Sequence, residues 1–178
     1  MKKFISVITA FCLAAVLIGC ISSIPAAYRG MPKAIANARR NVPDDVLVGI
    51  GSVKMLTVTQ YRNIAAMRAR VEILNAMNSM VKDMVRDYTA SSEVDPAAIQ
   101  AYQENITATI SRSNLSGAVI HFEESGRDDI WWVVMYLSKA NVVREISQAA
   151  GLAVPDMPSF DTEARMNAAF DKVKAENW

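Results

Sequence analysis

A run of apolar residues spaced for one face of a single long helix constrains this chain more than any other feature. Met67, Val71, Leu74, Met77, Val81, Met84 and Tyr88 recur at intervals of 4, 3, 3, 4, 3 and 4, the period of an amphipathic α-helix. Ile64, Ile73, Met80 and Val85 widen that face, and Arg68 and Glu72 stand four apart on the solvent side, where such a pair supports a helix. Thr57 and Gln60 have the spacing of a capping box ahead of the run. The pattern predicts a helix over 59–88, roughly 45 Å long and well beyond the usual length. Its methionines are most simply core filler; a methionine-rich copper or partner-binding face is the weaker account.

The flanking sequence supplies a sheet for this helix. "VLVGIGSV", Val46 to Val53, reads as a first strand. Its Gly49 and Gly51 lack a third glycine at position 54 and no helix opens behind them, so they do not make a dinucleotide loop. Glycines in a strand mark a bulge or the close approach of a packed helix. "LSGAVIHFEE" and "DIWWVVMYLS" read as a hairpin over 117–124 and 130–138, joined by "SGRDD". In the last strand Trp131, Val133, Met135 and Leu137 alternate with Ile130, Trp132, Val134 and Tyr136, so both faces are apolar. Both need cover. Helices supply it on one side, and a second subunit, the C-terminal segment or an edge of the same chain on the other. Asp95 and Pro96 start a further helix expected to reach Arg112, although its "ITATIS" also alternates like a strand. "KANVVREISQAAG" reads as a helix closed by Gly151, and Ser159 to Trp178 as a final amphipathic helix. The expected fold class is α+β: a small, mainly antiparallel three-stranded sheet packed by one long helix, with additional C-terminal helices.

The N-terminus carries a different signal. Lys2 and Lys3 precede an uncharged stretch of 18 residues from Phe4 to Ile21, the layout of a secretory signal and at the lower limit of a membrane-spanning helix. It ends Leu17-Ile18-Gly19-Cys20, which resembles the lipobox of bacterial lipoproteins. In that motif small Gly19 fits the peptidase beside the cut, and the Cys20 thiol receives a diacylglyceryl group. Cleavage frees an amine for a third acyl chain, and two or more chains anchor a protein stably. An uncleaved anchor helix and an ordinary signal are the competing readings. On the lipobox reading, 1–19 is a signal peptide and 20–45 a lipidated tether. Residues 46–150 form the domain, and 151–178 a linker and helix. Ile21 to Asp45 holds three prolines and a short helix from Lys33 to Arg40; as coil its 25 residues would reach roughly 28 Å.

Composition then excludes several functions. Cys12 is discarded with the signal and Cys20 is acylated, so the mature domain keeps no thiol for a disulfide or metal. Loss of Lys2 and Lys3 leaves 17 basic against 18 acidic residues, a net charge of about −1, without the basic excess of a nucleic-acid binder. His121 is the single histidine. It is expected on the same strand face as Glu123, but no second histidine or cysteine stands near enough in sequence to build a metal site. "RSNLSG" is not a nucleophile elbow, and Asp44-Asp45 and Asp128-Asp129 read as turn and strand-flanking acids. No cofactor and no catalytic residue is expected.

The order of these motifs resembles the Lpp-twenty family of bacterial outer-membrane lipoproteins, over about residues 43 to 145. The likeness is carried by the lipobox, "VPDDVLVGIGSVKM", "AAMRARVEILNAMNSMVKDMV", "LSGAVIHFEE" and "DIWWVVMYLSK". Ala66, Arg68, Ala69, Arg70 and Glu72 match the helix run of the family, and the segment beyond Gly151 does not map onto it. The resemblance implies an outer-membrane anchor and no catalytic residue. Ile21 and Ser22 offer no aspartate at the position that commonly retains lipoproteins at the inner membrane, which fits that placement.

The expected role is a lipid-anchored structural or interaction module of the cell envelope, held to the bilayer through acylated Cys20 and associating with itself or an envelope protein. The alternative is a periplasmic module for a small ligand or peptidoglycan fragment, with Trp131, Trp132 and Tyr136 as a stacking surface. An enzyme centred on His121 is a more distant rival. Intact-mass spectrometry of the protein from its native host should show residues 1–19 removed and acyl chains added to Cys20. An unmodified or full-length mass would count against the lipobox reading.

Overall fold

The structure is a computed structural model, and it describes residues 30–55, 60–91, 93–153, 160 and 162–177. In chain order the elements are α1 (Lys33–Arg40), β1 (Val46–Lys54), α2 (Tyr61–Ser91), α3 (Pro96–Arg112), β2 (Val119–Ser125), β3 (Ile130–Ser138), α4 (Lys139–Ala153) and α5 (Glu163–Asn177). The three strands form one antiparallel sheet in the order β1-β3-β2. The class is α+β, with the long helix on the sheet as the pattern predicts. Thr57 and most of the segment that would cap α2 lie outside the described residues.

The α2 helix is the spine, and its two halves meet different surroundings. The first half lies on β1 at backbone distance. A Cβ on Gly49 would come within 1.9 Å of the Ala69 carbonyl oxygen, and one on Gly51 within 1.9 Å of the Ala65 oxygen. Only hydrogen on the strand and methyl on the helix fit such an approach. Accordingly Ala65, Ala69 and Ile73 are fully buried there, while Met67 and Val71 are more than half exposed. This corrects the helix face read from the spacing of large residues. In the second half the expected face does turn inward: Met77, Val81, Met84 and Tyr88 are buried, with Met80 and Val85.

That second half extends past the sheet into a helical lobe. The buried residues Ile99, Tyr102, Ile106 and Ile110 of α3, Val142, Ile146 and Ala149 of α4, and Met166, Phe170 and Val173 of α5 share one core with it. Phe160 packs edge-on between Tyr88 and Tyr102, with ring centroids at 5.7 and 4.9 Å. The start of α3 is as expected, with the Asp95 carboxylate accepting from Ala97 N–H at 3.1 Å and Pro96 in the first turn. "ITATIS" continues the helix, because Ile106 and Ile110 face this core. Gly151 lies inside α4 rather than closing it, exposed and with open space where a Cβ would stand.

The second sheet face carries Val46, Val48, Ile50, Trp132 and Val134 and is covered by α1 through fully buried Ile35, with Met31, Ala38 and Val42 packed around it. The cover thus comes from the segment assigned to a tether, and not from the C-terminal helix. Met31, Ile35, Ala38 and Val42 thus belong to the fold, and Lys174 Nζ of α5 ties the α1–β1 connection by donating to the Pro43 carbonyl.

Two glycine substitutions should therefore behave oppositely. Gly49→Ala or Gly51→Ala should lose about 3 kcal/mol or more, because backbone lies on the far side of the contact and cannot rotate away. Gly151→Ala should gain about 0.5 kcal/mol by restricting the unfolded chain. Urea unfolding of the three variants measures both.

Candidate interaction surface

A three-stranded sheet has two edges, each presenting unpaired backbone groups, and the two edges here are treated differently. On β1 the free groups are occupied by side chains of α2. Ile50 N–H donates to Glu72 Oε2 at 2.5 Å, and Arg68 Nη1 donates to the Ser52 carbonyl at 2.5 Å. The helix spacing explains the fit: residues four apart stand one above the other, beside a strand that alternates its outward groups every second residue. Arg68 and Glu72, expected to face solvent as a pair, thus reach over the sheet edge and close it to a further strand.

β2, by contrast, is exposed along most of its length. Val119 is 58% exposed, Ile120 38% and Phe122 37%, which puts three neighbouring large apolar side chains at one edge. Val119 lies opposite Tyr136 and Phe122 opposite Val134, on the face that α1 partly covers; Ile120 lies opposite Met135 on the other face. A bulge between Ile120 and Phe122 breaks the alternation. It turns His121 onto the Tyr136 ring, stacked at 4.1 Å with an interplanar angle of 9°. Glu123 sits opposite Val133 on the α2 side of the sheet, bound by Arg62 at 2.5 Å. The bulge therefore separates the histidine from the acid expected beside it.

Of the three aromatic residues proposed from sequence as a surface, one is interior and two are half-buried. Trp132 is 2% exposed beneath α1. Trp131 points to the opposite face, edge-on to Tyr61 with centroids 5.3 Å apart. Tyr136 is half-buried beside β2, and burial pushes its phenol above the usual value of 10.0. Neighbours on a strand point to opposite faces, so Trp131 and Trp132 do not form one stacking platform. Leu17, Ile18, Gly19 and Cys20 lie outside the described residues. Sequence reasoning missed Val119, Ile120 and Phe122 as surface; the available signal was "VIHF", whose apolar residues do not alternate.

A groove of about 510 Å³ between α2 and α5 holds Asp83, Asp87, Arg165 and Lys172. There Arg165 binds Asp87 at 2.9 Å and Lys172 binds Asp83 at 2.6 Å. Among the described residues no three His, Cys, Asp or Glu side chains converge as metal ligands, and no helix is long and apolar enough to cross a membrane. No family model, characterised protein or solved structure matches the chain.

The guarded edge can be tested directly. Glu72→Ala should cost about 1–3 kcal/mol by leaving the Ile50 N–H without its acceptor, and amide exchange at Ile50 should accelerate. Unchanged exchange would show that the carboxylate does not close this edge.

Proposed function

We propose that this protein is a lipid-anchored module of the bacterial cell envelope that works through protein contact rather than catalysis, and that it associates with copies of itself through β2. The observation that carries the contact role is the contrast between the edges: β1 is closed by Glu72 and Arg68, whereas β2 presents Val119, Ile120 and Phe122 to solvent. An antiparallel strand pair about a twofold axis places the same surface on both partners, and edge pairing supplies backbone hydrogen bonds as well as apolar burial. Anchoring enters through Leu17-Ile18-Gly19-Cys20, and the residues after the cysteine favour the outer membrane. The likeness to Lpp-twenty lipoproteins supports the same placement. A stacking site for a small ligand has less support, because Trp132 is interior and Trp131 faces away from it.

The proposal predicts concentration-dependent dimerisation of the protein made without its lipid. Sedimentation should show association that Phe122→Lys or Val119→Lys abolishes, while thermal unfolding stays nearly unchanged because both side chains are exposed. Monomer alone at high concentration would refute self-association. Separately, Cys20→Ser should release the protein from envelope membranes.

A further inference from the structure

We infer that the pole of the domain formed by Gly30, the start of α1 and the β2–β3 turn faces the lipid surface, and that the helical lobe is held away from it. The inference rests on the anchoring at Cys20 proposed above and adds an orientation to it.

Gly30 is the first of the described residues, and its contacts fix its place. The Gly30 carbonyl oxygen lies 2.9 Å from where a Cβ on Gly126 would stand, and the Arg127 Cβ lies 4.0 Å from where one on Gly30 would stand. Gly30 is thus seated on the turn between β2 and β3. The same pole carries the start of α2, where Tyr61 packs on Trp131 and Arg62 binds Glu123. From there α2 runs away from Gly30 for 31 residues, about 46 Å at 1.5 Å per residue. Its far end lies in the helical lobe, where Arg165 of α5 binds Asp87.

Cys20 and Gly30 are ten residues apart. A peptide chain spans at most about 3.6 Å per residue, so this segment reaches no further than about 36 Å. Standing the helical lobe on the bilayer would lift Gly30 by the length of the domain, about 46 Å, roughly 10 Å beyond the reach of the chain. The inverted orientation is therefore sterically closed. The surface charge of the near pole does not decide the matter, because exposed Lys33, Lys54 and Arg127 stand with exposed Asp128 and Asp129. The orientation should accordingly be insensitive to salt, unlike a basic patch on an anionic surface.

The test uses the full chain made in a host that processes lipoproteins, reconstituted into phosphatidylcholine vesicles carrying a headgroup-linked fluorescence acceptor. With Cys20 acylated, a thiol introduced by Lys33→Cys or Glu93→Cys is the single labelling site in each protein. Energy transfer to the headgroups should be severalfold greater from position 33 than from position 93, at low and high salt alike. Inserting a ten-residue Gly/Ser spacer after Ser22 should narrow the difference. Equal or reversed transfer would overturn the orientation while leaving the anchor intact, and a difference that the spacer leaves unchanged would overturn tether length as its cause. A mass showing no lipid on Cys20 would overturn the anchor and the orientation with it.

Discussion

The contact of α2 with β1 at backbone distance is the constraint on which the rest of the structure depends. Gly49 and Gly51 offer no Cβ, and Ala65 and Ala69 offer only a methyl, so helix carbonyls rest on the strand itself. This approach fixes the height and direction of a 31-residue helix. It also brings Arg68 and Glu72 to the height at which they meet Ser52 and Ile50 at the sheet edge. A larger residue at any of the four small positions would lift the helix and open that edge at the same time.

From this contact the two ends of the domain follow. Near Gly30 the helix meets a sheet and uses small residues; beyond the sheet it meets other helices and uses Met77, Met80 and Met84. The flexible, unbranched thioether side chain fills the irregular space left where α3, α4 and α5 converge. Met77, Met80 and Met84 are thereby explained by packing with Ile106, Phe170 and their neighbours.

The edges connect packing to the proposed role. An open strand edge invites another chain, and proteins usually blunt it. Here one edge is occupied by side chains from the spine helix, and the other carries a bulge and apolar residues. The bulge displaces His121 onto Tyr136 and leaves Glu123 to Arg62. The one arrangement in the sequence that suggested acid–base chemistry is thus divided between two faces of a sheet.

By itself the sequence determined the elements and their class: three strands, a long helix and the Asp95–Pro96 start of the next. These are local properties, written in spacing and in residue type. Only the tertiary structure decided which face of α2 is buried near the sheet, because the choice depends on the glycines of a distant strand and not on the helix's own large residues. Only it showed that α1, read as tether, covers the second face, and that Trp131 and Trp132 are separated by the sheet between them. Burial is a property of what packs against a residue, and that partner lies tens of residues away along the chain.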